Sequence, residues 1–177
     1  PFQMTFDTSG GNTIELANIY GSSFYIDWGD GTNEINTGSN NRTISHTYAS
    51  GIPTSTISIG SDTDTGTLTQ LRMLSTSSKD DLLDVPQWGD IVWQSLINMF
   101  YGCSNAAFQI SASDAPKITS NISANDIFNT SSTFNSDINH WDVSNITGMV
   151  SGFYGASAFN QNLVLGIYKQ LIYYISF

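Results

Sequence analysis

Hydrophobic and polar residues change their spacing partway along the chain. Up to about residue 60, apolar side chains alternate or cluster in short runs: FQMTF, TIELANIY, SSFYIDW, TISHTY and STISIG. The runs are separated by SGG, WGDGT, TGSNN and ASGIP. Period-two runs rich in β-branched and aromatic residues, punctuated by Gly, Asn, Asp and Pro, predict short antiparallel strands packed as a sandwich. Asp30-Gly31 marks a tight hairpin, because glycine accepts the positive φ that such turns require. In the transition from 61 to 87, LTQLRML alternates like a further strand and calls for burial of Leu68, Leu71, Met73 and Leu74.

Beyond Trp88 the spacing lengthens. In DIVWQSLINMFYGCS, Asp90 stands where a cap belongs, Trp93, Leu96, Ile97 and Phe100 fall at helical spacing, and Gly102 is placed to end the helix. TGMVSGFYGAS repeats the pattern, with Thr147 as cap, Met149, Val150 and Phe153 on one face, and Gly155 as terminator. The near-identical pentapeptides FYGCS (100–104) and FYGAS (153–157) thus predict two short helix endings, each stopped by a left-handed glycine. A degenerate copy lies between them: Phe128 aligns with Phe153 and Phe134 with Phe159, both 25 residues apart, while Phe100 to Phe128 is 28. Periods of this length suit stacked coils of the leucine-rich type, whose apolar sides form one continuous core.

Two resemblances follow from these motifs. YIDWGDGT with SHTYASGIPTSTISIG resembles the signature of PKD-type immunoglobulin-like sandwiches. WDVSNIT (141–147), ASAFNQ (156–161) and the entry segment QWGDIVWQSLINMFYGCSNA with SDAP resemble the BspA-like leucine-rich-repeat surface proteins of bacteria. The fold expected is mainly β with short helices. An N-terminal Ig/PKD-like β-sandwich (1–66) is followed by a short leucine-rich-repeat-type solenoid (67–163) and an apolar C-terminal segment (164–177) that caps the coils or contacts another subunit. The structural motif residues are Trp28, Asp30, Gly31 and Tyr48 in the sandwich, then Trp88, Trp93, Phe100, Gly102, Phe128, Phe134, Trp141, Phe153, Gly155 and Phe159 in the coils. Where another WDVSN is due, the chain reads VLGIYKQLIYYISF. Ile167, Leu171, Tyr173 and Ile175 alternate there as candidate subunit contacts.

Charge narrows the partners. Fifteen acidic residues against five basic ones give a net charge of -10, which repels phosphate backbones and disfavours nucleic acid. Only 11% of residues are charged, so Ser, Thr, Asn and Gly carry the polar surface, as is common outside cells. The longest apolar stretch, 163–177, is too short for a membrane span and contains Lys169. The first residues carry no basic and apolar signal regions, so any secretion signal is expected to have been removed or to lie outside this sequence. The lone Cys103 reads as a buried packing residue.

Candidate chemistry is sparse. His46 and His140 are the sole histidine bases, and neither accompanies a nucleophile motif, so no catalytic residue is expected. Asp90 and Asp142 follow cap and turn logic. No cofactor is expected; calcium on Asp27, Asp30, Asp62 and Asp64 is the weak alternative, because DTDTG lacks the later Glu of a calcium loop. Asn41, Asn121, Asn129 and Asn145 head glycosylation sequons. The resemblances imply a surface location and a protein, matrix or glycan partner. The expected function is a non-enzymatic extracellular scaffold, adhesive or self-assembling into filaments; the alternative is a carbohydrate-binding accessory module of a secreted enzyme. Exposed Trp28, Trp88, Trp93 and Trp141 would favour the alternative, and buried indoles the scaffold.

Overall fold

Alternation in the N-terminal runs has the consequence expected of it. In a computed structural model, which describes residues 1–38, 41–60 and 68–163, Phe2–Asp7 (β1) buries Phe2, Met4 and Phe6 and turns Gln3, Thr5 and Asp7 outward. Thr13–Gly21 (β2), Phe24–Asp27 (β3), Arg42–Thr47 (β5) and Thr54–Ile59 (β6) correspond to the other four predicted runs. Asn33–Asn36 (β4) was not signalled, since its residues are mostly exposed and polar. It forms because the hairpin after β3 returns the chain alongside it, Asp27 opposite Asn33.

The protein is mainly β. One sheet runs β4-β3-β6-β1-β8, and a second runs β5-β2-β7. β1 and β6 pair antiparallel over six positions, from Phe2 opposite Ile59 to Asp7 opposite Thr54. Two strands C-terminal to residue 66 complete these sheets: Leu68–Gln70 (β7) pairs with β2, and Leu82–Gln87 (β8) pairs with β1 through a bulged register. Only the first three residues of the LTQLRML run are strand, and Leu74 is exposed rather than buried. A single 3-10 turn, Ser77–Asp80, links β7 and β8 and is capped by Thr76, whose hydroxyl accepts from the Ser78 N–H.

The two helices predicted after Trp88 are not formed. Residues 96–103, 124–131 and 149–156 are instead three rows of overlapping turns. In the first row, the N–H groups of Met99, Tyr101 and Cys103 donate to the carbonyls of Leu96, Asn98 and Phe100, at 3.2 to 3.3 Å. Such bonds recur at every second residue, which a helix cannot do. The physical reason lies at two positions per row: Asn98, Asp126 and Ser151 have φ between 54° and 56°, and Gly102, Thr130 and Gly155 have φ between 57° and 72°. Left-handed residues interleaved this closely forbid a right-handed helix. The predicted left-handed glycines are present, but they punctuate turns rather than end helices. The helical spacing misled because Leu96, Met99, Phe100 and Cys103 are the buried set, and offsets of three, four and seven are shared by both geometries.

The other N–H groups of each row leave it. Leu96, Asn98, Phe100 and Gly102 donate to carbonyls of Ser123, Asn125, Ile127 and Asn129 at 2.8 to 3.1 Å. Ala124, Asp126, Phe128 and Thr130 donate in turn to Gly148, Val150, Gly152 and Tyr154 at 2.7 to 2.9 Å. Ile122–Ser123 (β9) and Ile146–Gly148 (β10) pair in parallel at the start of the second and third rows. Backbone demand is thereby met without long strands. One hydrophobic core runs from β1 to the third row, joined where Phe2 packs on Trp88 and Trp93 at ring distances of 5.4 and 5.1 Å.

Candidate functional site

Two constellations hold the residues singled out from sequence. The first is in the sandwich. Between β3 and β4, the Trp28 N–H donates to the Thr32 carbonyl, closing the hairpin loop. Gly29 and Gly31 take positive φ within it. Gly29 is required for a second reason: a Cβ there would run into the Thr56 carbonyl oxygen of β6. Asp30 Oδ1 accepts from the Thr32 N–H (3.0 Å) and hydroxyl (2.6 Å), and Oδ2 pairs with His46 Nε2 at 2.7 Å. The Thr32 hydroxyl, with lesser help from His46 and against some burial, lowers the Asp30 carboxyl to about 2. His46 stacks on Trp28 at 5.0 Å and meets Tyr48 edge-on at 4.7 Å. The buried Tyr48 hydroxyl donates to the Trp28 carbonyl at 2.7 Å, and burial together with the Asp30 charge holds the phenol well above its ordinary range.

This arrangement has an acid, a histidine and a hydroxyl in contact, but not in catalytic order. The Thr32 hydroxyl lies 3.4 Å from His46 Nε2, the same ring nitrogen that faces Asp30, whereas a triad sets acid and nucleophile on opposite nitrogens. That hydroxyl is also committed to Asp30, which is used up by its own turn and by His46. Asp27 Oδ1 accepts from the Gly29 N–H. Two of the four carboxylates offered for calcium, Asp27 and Asp30, are thus turn acceptors; Asp62 and Asp64 lie outside the described residues. Among the described residues no group of three or more His, Cys, Asp or Glu converges as a metal site would.

The second constellation is the stack formed by the three rows. Phe100, Phe128 and Phe153 lie one above another, with centroids 5.5 and 5.3 Å apart and planes within 13° and 28°. Phe108, Phe134 and Phe159 form a neighbouring stack at 5.6 and 5.7 Å. Phe128 and Phe134 join the two stacks at 3.9 Å. Trp88 meets Trp93 and Trp141 edge-to-face, at 5.9 and 5.1 Å. Trp28, Trp88, Trp93 and Trp141 are only 2, 0, 0 and 1% exposed, so none presents an indole face to a ligand. Cys103 is fully buried in this core, and burial pushes its thiol up, away from the reactive thiolate.

Polar side chains repeat outside the stack. Asp114 accepts from the Trp88 and Gly89 N–H groups, Ser136 from the Ile110 N–H, Asn125 from the Val150 N–H and Asn135 from the Asn160 N–H. Each bond spans 25 or 26 residues, one turn of the chain around the core. His140 is exposed and bonds the Asp114 carbonyl at 3.1 Å, in the same register. An open groove of ≈ 770 Å³ lies along residues 106–112 and is closed on its other side by Thr133, Asn135, Ser136 and Asp137. Asp137 accepts from the Asn139 N–H of its own turn, and no second acid lines the groove among the described residues, so no acid pair converges there.

The sequons divide. Asn41 and Asn121 are exposed. Asn129 is 8% exposed and its amide donates to Asp126, and the Asn145 amide donates to the Ile118 carbonyl at 3.0 Å. Glycosylation of the latter pair would break these bonds. Ile167, Leu171, Tyr173 and Ile175 lie outside the described residues. What sequence reading missed is the split use of the N–H groups; the signal for it was Asn98, Asp126 and Ser151, three small polar residues at one repeat position and suited to positive φ.

No curated protein and no solved structure matches this chain. The family model described as "Mycoplasma protein of unknown function, DUF285" matches residues 69–169, starting at β7 and taking in all three turn rows. Because that match covers more than half of the chain, the protein belongs to the DUF285 family.

Proposed function

We propose that this chain is a non-enzymatic extracellular surface protein, a scaffold that presents a rigid stack of coils for adhesion or self-assembly. In this reading an Ig/PKD-like sandwich is followed by a short leucine-rich-repeat-type solenoid, as in BspA-like surface proteins. β7 and β8 are the joint between the two units. The observation that carries it is the repeated register of backbone and side-chain bonds around stacked phenylalanines. Asp30, Thr32 and His46 are engaged with one another around one hairpin, His140 bonds within the coil register, and Cys103 is buried. A stack of this kind is stiff because every row satisfies its neighbour, and stiffness keeps a presented surface in one shape.

The carbohydrate-module alternative called for exposed tryptophans. With all four indoles buried, that support falls away. The test is to immobilise the purified chain and measure binding to extracellular-matrix proteins and to a glycan array, with sedimentation of the free chain alongside. The scaffold reading expects protein binding or higher oligomers and no turnover of any glycan. Saturable binding to one class of glycan, or its hydrolysis, would overturn it.

A further inference from the structure

The strands that close the sandwich also stand one repeat ahead of the first turn row. Leu68, Trp93, Ile118 and Val143 recur at intervals of 25 residues and all are buried, and Leu71 precedes Leu96 by the same interval. Backbone bonds keep that count. The Gln94 N–H reaches back to the Thr69 carbonyl of β7, and the Trp93 N–H reaches forward to the Lys117 carbonyl, both at 3.0 Å. Asp84 of β8 bridges Gln109 in parallel, as Val92 bridges Lys117. The Asp84 carboxylate also accepts from the Ser111 N–H and hydroxyl, at 3.0 and 2.6 Å. On their other side the same strands belong to the sandwich, β8 against β1 and β7 against β2. The turn between them is fastened there too: the Thr76 hydroxyl donates to the Glu15 carbonyl and the Ser78 hydroxyl accepts from the Glu15 N–H, both at 2.8 Å.

We propose that residues 68–92 are the leading repeat of the stack and that residues 1–60 are its N-terminal cap, so that sandwich and rows fold as one cooperative unit. The face that β7 and β8 turn away from the rows is then an interaction surface, and its partner is the sandwich half of this same chain. Stacked repeats expose an apolar face at each end, and an end repeat needs a cover of different character. Leu68, Leu71, Leu82, Val85 and Trp88 of the leading repeat are all at least 96% buried. Two domains that merely touch would each keep their own strands and their own core. Here each sandwich sheet takes its last strand from the repeat, and one core runs through both. The DUF285 match begins at residue 69, inside this repeat rather than at Trp88. None of this draws on what the stack binds, so the inference stands apart from the scaffold reading.

Two measurements on the full chain test this. In the first, amide hydrogen exchange by NMR follows a lesion placed in the sandwich, away from the shared strands. Ile26 is fully buried in β3, with β6 and β1 between it and β8. Ile26→Ala should speed the slowest amides of the sandwich, and those of Ala124 and Phe128 in the second row, by one common factor of about 30 or more. Ile26→Val keeps the fold if alanine does not, and its common factor should be about two to ten. Acceleration confined to the sandwich, with the row amides unchanged, would overturn the proposal. In the second, a specific protease recognition sequence is inserted between β6 and β7, within residues 61–67, and the folded chain is cut there. The two pieces should sediment together at micromolar concentration and unfold in a single transition. Pieces that part at that concentration and each stay folded would overturn the proposal, as would two separate transitions in the uncut chain.

Discussion

The sandwich and the turn rows solve one problem, satisfying a buried backbone, by opposite means. In the sandwich, β1 and β6 exchange bonds between segments far apart in sequence, and each strand needs a partner from elsewhere. In the rows, alternate N–H groups close local turns, and the rest of those in the first two rows reach the next row. The difference shows in the aromatics. Trp28, His46 and Tyr48 meet at assorted angles around one hairpin, whereas Phe100, Phe128 and Phe153 repeat one position and therefore stack. Repetition of backbone geometry produces repetition of packing, and a single defect should be felt by the rows on both sides.

The largest effect should come from breaking the stack. Phe128→Ala removes a fully buried ring that touches Phe100, Phe134, Trp141 and Phe153. Loss of about 3 to 5 kcal/mol is expected in denaturant unfolding, and a loss below about 1 kcal/mol would contradict the packing described. Next comes the sandwich hairpin, where Gly29→Ala forces a Cβ against the Thr56 backbone and strains a φ of +80°. About 2 to 4 kcal/mol is expected, with β3 and β6 amides losing protection first.

Tyr48→Phe should cost less, about 1 to 1.5 kcal/mol, since it deletes one buried hydrogen bond to the Trp28 carbonyl and keeps the ring. The smallest effect is expected from pH. Asp30 is lowered from 3.8 to about 2 in the folded chain, so the stability it contributes is present above pH ~4 and is lost as pH falls through about 2. Screening of this partly solvated pair holds that contribution to roughly 1 kcal/mol. Thr32→Val should flatten the acid limb of the stability profile between those values, and an unchanged limb would count against the Thr32 hydroxyl as its main cause.

Legibility differed between the regions for a physical reason. Five of the six N-terminal strands announce themselves because a strand with one buried face must alternate, and β1 does so residue by residue. β4 escapes because neither face is buried. In the rows, the same buried residues were found and given the wrong backbone. Phe100, Phe128, Phe153 and the glycines at 102 and 155 were correctly matched as repeats, yet Val150, placed on the buried helical face, is exposed. Asp30-Gly31 marked the hairpin, but the Asp30–His46 pair was not legible, because β5 reaches that hairpin only after folding.

Sequence by itself determined the repeat, its period and the inward set of aromatics, since those are properties of spacing and volume. Tertiary structure alone decided that the repeat is built of turns. Offsets of three and four residues fit either backbone, and the choice falls to positive φ at Asn98, Asp126 and Ser151; at the first two, N–H groups that find acceptors in the next row hold it in place.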